Sequence, residues 1–181
     1  MRNWMKNLGL LCVVAVLLLS AGAAAESPAY YTRGDFVEDF TLTTWAEETV
    51  TLSDLLAEKD VVLLHIFTLR CGGCEEEMPL LQAAYEAWGE RVALLAVTID
   101  DADTDKQLKT YCPRRGLTFP TARDTAGLAY CYPIYGVPTT FVIDRDGVLR
   151  EIKEGAIKDL AAFEKLIAPW LSAAETETPA E

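Results

Sequence analysis

The sequence predicts one α/β domain in which helices flank a central mixed β-sheet, with a β-hairpin at its N-terminal side. Two almost continuously apolar segments, residues 61–67 and 91–99, are typical of strands that are buried on both faces. Segments with apolar residues three and four positions apart follow these strands, which indicates amphipathic helices. A length of 181 residues, 51% of them hydrophobic, favours one compact domain over two.

The first 25 residues have the three-part pattern of a secretory signal peptide. Arg2 and Lys6 precede an apolar run over residues 8–19, and small residues fill positions 21–25. An uncleaved N-terminal anchor is the alternative, because weakly polar residues continue to position 25. We therefore expect an exported protein in the periplasm or another extracytoplasmic compartment.

Composition divides the rest of the chain into three parts. Residues 26–34 are predicted to form a linker, residues 35–171 the folded domain, and residues 172–181 a disordered acidic tail. Arg2 and Lys6 are two of 16 basic residues, so the chain after them carries 28 acidic against 14 basic groups. This excess of negative charge argues against nucleic acid as a partner.

The first half of the domain is predicted to begin with a β-hairpin over residues 35–51 and a short helix over residues 54–58. The buried strand 61–67 follows. Residues 74–88 then form an amphipathic helix that ends at Gly89.

The second half is predicted to contain a further strand and helix, a hairpin and a closing helix. In order, these are strand 91–99, helix 103–111 ended by Pro113, strand 117–121, a brief helix within 127–132, hairpin strands 139–143 and 148–153, and an amphipathic helix 157–171. Asp146-Gly147 supplies the tight turn of the hairpin.

The motif Cys71-Gly72-Gly73-Cys74 lies where the first buried strand meets the following helix. Two thiols at this spacing can form a disulfide, and a helix N-terminus stabilises a thiolate. Cys71 would attack a disulfide, and Cys74 would resolve the mixed disulfide. Zinc sites use the same spacing but need two more ligands, and Cys112 and Cys131 stand alone with a single His in the chain. We expect no metal and no cofactor.

Several further features make the chain similar to the thioredoxin superfamily, and within it to the TlpA/ResA-like branch of exported thiol–disulfide oxidoreductases with a redoxin or AhpC/TSA-like domain. Pro79 resembles the proline that kinks the active-site helix, and Glu77-Met78-Pro79 resembles the acidic residue before it. Gly136-Val137-Pro138 resembles the family's cis-proline loop, and the extra strand and helix within residues 91–119 resemble the insertion of this branch. The resemblance covers residues 35–170 and implies a thioredoxin-like three-layer sandwich.

The resemblance also implies roles for individual residues. A cis bond before Pro138 would present the Val137 backbone to an extended substrate segment. Glu77 would accept or return the proton of Cys74, the alternative being a solvated carboxylate near the helix start. His65 stands where thioredoxins carry a buried acid, and it is either a proton relay or a structural core histidine.

The chain departs from the family pattern just before the motif. Arg70 replaces the usual Trp, so we expect it to favour the Cys71 thiolate and to contact substrate, while the glutamates at 75–77 oppose its charge. Cys112 and Cys131 are expected to form a structural disulfide, because exported proteins are often oxidised. Two free thiols or a second electron-relay pair are the alternatives.

These observations predict a protein-disulfide reductase for selected exported proteins, with apocytochrome c as one candidate. As the resemblance implies, electrons would come from a membrane thiol donor of the CcdA/DsbD type. Three other functions stay open: a disulfide-forming oxidant, a peroxiredoxin-like peroxidase suggested by Thr68-Leu69-Arg70-Cys71, and a non-catalytic binding module.

Overall fold

A five-stranded mixed sheet forms the centre of the structure, a computed structural model that describes residues 30–171. The predicted signal peptide or anchor and the predicted acidic tail lie outside these residues. Within 30–171, none of the helices has the length and apolar character needed to cross a membrane.

The helices and strands follow the predicted order. They are β1 (Thr41–Thr43), β2 (Thr49–Thr51), α1 (Leu52–Glu58), β3 (Val61–Phe67), α2 (Gly72–Trp88), β4 (Val92–Thr98), α3 (Asp105–Arg114), β5 (Thr121–Arg123), β6 (Thr139–Asp144), β7 (Leu149–Glu154) and α4 (Leu160–Ile167). Two 3₁₀ turns, Leu128–Tyr130 and Ala168–Trp170, complete the described elements.

The strand order in the main sheet is β5-β4-β3-β6-β7. Strand β4 runs parallel to both β3 and β5, whereas β6 is antiparallel to β3 and β7. Strands β1 and β2 form a separate antiparallel hairpin. The predicted α/β class, mixed sheet and N-terminal hairpin are therefore confirmed.

Strand β3 is buried along its whole length because both of its faces are covered. Leu63 and Phe67 pack on the side of helices α2, α3 and α4. Leu64 and Ile66 pack on the opposite side, against the N-terminal segment, the start of α1 and the first 3₁₀ turn. This double burial explains why the β3 sequence shows no alternation of polar and apolar residues.

Several element boundaries differ from the prediction, and three of the differences have a clear physical reason. Helix α3 continues through Pro113: the ring removes one backbone N–H donor, but Arg115 N and Leu117 N both bond back to Cys112 O and close the helix beyond it. The predicted strand 117–121 is wrong: β5 pairs with β4 only from Thr121. Helix α4 is shorter than predicted, because the Asp159 side chain accepts a hydrogen bond from Ala162 N and caps its start.

Candidate active site

Cys71 and Cys74 lie at the N-terminus of α2, directly after the central strand β3. They are joined as a disulfide with 5.2 Å between their Cα atoms. Cys71 is the N-cap residue, and its Sγ accepts a hydrogen bond from Cys74 N at 3.1 Å. Cys71 is partly exposed whereas Cys74 is fully buried. Cys71 is therefore the sulfur that a substrate can reach, and the helix start holds a donor for its thiolate.

The predicted cis-proline loop lies against this sulfur. The Val137–Pro138 peptide bond is cis, and the carbonyl oxygen of Val137 lies 3.7 Å from Cys71 Sγ. The loop is held by hydrogen bonds from Thr139 Oγ1 to Gly136 O and from Gly155 N to Pro138 O. The backbone of Val137 is thus placed beside the reactive sulfur, where an extended segment of another chain could pair with it.

Glu77 is buried one helical turn beyond Cys74, with only 3% of its surface exposed. Its Oε1 accepts a hydrogen bond from Ile157 N at 2.7 Å, and its Oε2 is buried without a partner among the described residues. Burial raises the pKa of Glu77 to about 7, although the Ile157 bond and the charges of Lys153 and Lys158 act in the opposite direction. The alternative of a solvated carboxylate is therefore wrong, and Glu77 can exchange a proton near neutral pH.

His65 is fully buried on β3, on the same face as Phe67. Its Nδ1 lies 2.9 Å from Thr140 Oγ1, and its Nε2 has no partner among the described residues. Burial lowers the pKa of His65 to about 3, so the imidazole is neutral at physiological pH. This state favours the structural alternative over the proton relay.

The segment before Cys71 is held by two aspartates that the sequence did not single out. Asp103, itself buried, accepts hydrogen bonds from Leu69 N at 2.9 Å and from Thr98 Oγ1. Arg70 forms an exposed ion pair with Asp100 at 2.6 Å. The two aspartates could have been found only from the strand order: β3 and β4 are adjacent parallel strands, so the loops after them meet at one edge of the sheet.

The charges around Cys71 are largely paired. Arg70, expected to stabilise the thiolate, is bound to Asp100, and Glu75, expected to oppose it, is bound to Arg115. Among the described residues, the backbone N–H of Cys74 is therefore the group that directly stabilises a Cys71 thiolate.

Cys112 and Cys131 do not form the expected disulfide, and both are free thiols. Cys112 is buried with α2 and α3 on one face of the sheet, whereas Cys131 packs against the cluster on the other face. The sheet separates the two thiols, which also removes the relay-pair alternative. Burial raises the pKa of Cys112 to about 11. Within residues 30–171, no three His, Cys, Asp or Glu side chains are grouped as metal ligands.

Comparison with known proteins places this site in a family. A model described as the AhpC/TSA family matches residues 33–152. The thiol–disulfide oxidoreductase ResA of Oceanobacillus iheyensis is 33% identical over 154 residues, which cover 82% of this chain and 78% of the relative. ResA of Bacillus thuringiensis subsp. konkukian is 30% identical over 176 residues, covering 91% of this chain and all of the relative.

A solved structure supports the fold. The crystal structure of a thiol:disulfide interchange protein of the thioredoxin family from Chlorobium tepidum TLS matches with a TM-score of 0.67. The match covers 77% of this chain and 98% of that one, at 20% sequence identity. The architecture described above is thus that of a thioredoxin fold.

Proposed function

We propose that this chain reduces disulfides in selected exported proteins. It belongs to the AhpC/TSA family and is a TlpA/ResA-like protein-disulfide oxidoreductase of the thioredoxin superfamily. One observation carries the proposal. A partly exposed Cys71 sulfur caps a helix beside the Val137 carbonyl oxygen, while its partner Cys74 is buried one turn from a carboxyl group with a pKa of about 7. The site thus separates an attacking sulfur from a resolving sulfur and supplies the latter with a proton acceptor.

The reaction begins from the dithiol form. The Cys71 thiolate attacks one sulfur of the substrate disulfide, that S–S bond breaks, and the other substrate sulfur leaves as a thiolate that takes a proton from water. Cys74 then loses its proton to the Glu77 carboxylate and attacks Cys71 Sγ. The mixed disulfide breaks and the second substrate thiolate leaves. Two electrons have passed to the substrate, and the protein holds the Cys71–Cys74 disulfide.

The balance of charge supports reduction over oxidation. Strong oxidants of this kind stabilise their thiolate form heavily. Here the cation next to Cys71, Arg70, is paired with Asp100. In the described part of the chain, the hydrogen-bonding partners of Cys71 Sγ are the backbone groups of Cys74 and Val137, not a cationic side chain. A modestly stabilised thiolate suits a donor of electrons.

We further propose a place of action and two kinds of partner. Residues 1–25 carry the pattern of an export signal, so we place the domain outside the cytoplasm. A membrane dithiol donor of the CcdA/DsbD type would reduce the Cys71–Cys74 disulfide after each cycle. Exported proteins with paired cysteines, such as apocytochrome c during cytochrome c maturation, are the proposed substrates.

Insulin-disulfide reduction by the purified protein tests the proposal. Cys71→Ser should abolish the activity, whereas Cys74→Ser should accumulate a mixed disulfide with substrate because resolution is blocked. Titration of the Cys71–Cys74 couple against glutathione tests the direction of electron flow. A potential as high as that of strong oxidases would contradict a reductase, and full activity of Cys71→Ser would contradict the mechanism.

A further inference from the structure

A groove of about 750 Å³ lies between the segment before Cys71 and helix α3. Its apolar lining comes from Leu69 and Tyr111. Its basic lining comes from Lys106, Arg114 and Arg115. The groove therefore offers a hydrophobic surface edged by positive charge.

This local charge is opposite to that of the whole protein, whose formal net charge is −12. Helix α3 and the residue after it carry four basic side chains and one acidic one: Lys106, Lys109, Arg114, Arg115 and Asp105. Lys109 and Arg115 are paired with glutamates. Lys106 and Arg114 form no ion pair with any residue of the described segment. Their charges are thus available to a ligand.

The groove lies next to the active-site motif. Leu69 lines it only two residues before Cys71, and its backbone is fixed by Asp103. At the other side of the motif, Glu75 follows Cys74 and binds Arg115, whose guanidinium group stacks on the Tyr111 ring at 4.6 Å. A chain that pairs its cysteine with Cys71 and continues past Leu69 would therefore reach the groove.

We propose that the groove binds an acidic segment of the substrate next to its target cysteine, with an apolar side chain against Leu69 and Tyr111. Carboxylates of that segment would pair with Lys106 and Arg114. This inference rests on the proposed function and narrows it: favoured substrates carry acidic residues beside the cysteine that Cys71 attacks. Charge complementarity of this kind raises association rates and is weakened by salt.

The test uses the reduced full-length protein and two synthetic disulfide peptides that differ only in flanking Glu or Lys residues. We expect the wild type to reduce the Glu peptide with the higher second-order rate constant, and added salt to reduce the difference between the two rate constants. Lys106→Glu should lower the Glu-to-Lys ratio of these rate constants about five-fold, the effect of losing one exposed ion pair and gaining repulsion. Arg114→Glu is a second variant with the same expectation.

Lys165→Glu is the matched control, because Lys165 is also exposed on a helix, forms no ion pair in residues 30–171, and lines a different cleft. It should leave the ratio at its wild-type value. Equal rates for both peptides, or equal shifts in all three variants, would overturn the groove assignment while disulfide exchange itself persists. A wild type inert toward the peptides and toward neutral 2-hydroxyethyl disulfide overturns both proposals. Binding to anionic vesicles that Lys106→Glu abolishes, with peptide selectivity unchanged, would assign the groove to a membrane surface instead.

Discussion

Replacing Glu77 by Gln tests two consequences of burying this carboxyl group: a stability that depends on pH, and a proton acceptor for Cys74. The amide keeps an oxygen that can accept the Ile157 N–H bond, but it can neither ionise nor take a proton. A pKa of about 7 in the folded state, against an ordinary value of 4.5, means that the folded form binds its proton more tightly than the unfolded form. Stability from this group is therefore complete below about pH 4.5 and is lost as pH rises through about 7.

The full loss in the free energy of unfolding is about 3 kcal/mol. About 2.5 kcal/mol of it occurs between about pH 5 and about pH 8.5. His65 acts in the opposite sense, since its pKa of about 3 makes the folded protein lose stability as pH falls below 6.5. Comparing the Gln variant with the wild type at each pH cancels the His65 contribution, because both proteins contain it. We thus expect Glu77→Gln to gain about 2–3 kcal/mol over the wild type across this range.

Urea unfolding of the oxidised proteins at both pH values provides the measurement. Glu76→Gln, an exposed neighbour on the same helix, is the control and should follow the wild type. In a separate assay, release of substrate from the mixed disulfide should slow about 100-fold or more in the Gln variant, because Cys74 loses its proton acceptor. The reasoning is refuted if the stability difference between Glu77→Gln and wild type is the same at the two pH values.

Three other outcomes are expected. Asp103→Ala should lower the free energy of unfolding by about 2–4 kcal/mol, since two hydrogen bonds to a buried carboxylate disappear; unchanged urea denaturation would show that Asp103 does not hold the Leu69 segment. Iodoacetamide at about pH 8 should modify Cys131 long before Cys112, whose buried thiol has a pKa of about 11. Peptide mapping without reduction checks this, and a bridged Cys112–Cys131 peptide pair would contradict it. Phe163→Ala should lower the free energy of unfolding by about 3–5 kcal/mol, because the buried ring packs on Trp88 at 5.3 Å between centroids. Thermal or urea unfolding measures this, and a loss below about 1 kcal/mol would mean that the core reorganises around the smaller side chain.

The elements that could be predicted from sequence are those whose local pattern has one explanation. The continuous apolar run of β3 was predicted to the residue, because a run of this length fits a strand buried on both faces and is too short for a typical helix. Helix α3 was predicted to end at residue 111, three residues too early, because Pro113 was expected to stop it. The burial of Cys112 and the hydrogen bonds closing the helix outweighed that local preference.

In the candidate site, too, short motifs could be predicted from the sequence and long-range contacts could not. The spacing of Cys71 and Cys74 and the Pro138 loop were visible along the chain, since each is a short motif. The burial of Glu77 was not, because its hydrogen-bond partner Ile157 is 80 residues further on. Asp103 was missed for a similar reason, as its role depends on β3 and β4 lying side by side.

Because the sheet separates Cys112 from Cys131, the number of electron pairs that one molecule can hold is limited. Among the described cysteines, only Cys71 and Cys74 can exchange one electron pair, and no second pair stores another. Without an external dithiol, each fully reduced copy can therefore open a single substrate bond before it stops. Sustained turnover would then depend on how often the protein meets the proposed dithiol donor, so donor supply would set the rate of disulfide reduction.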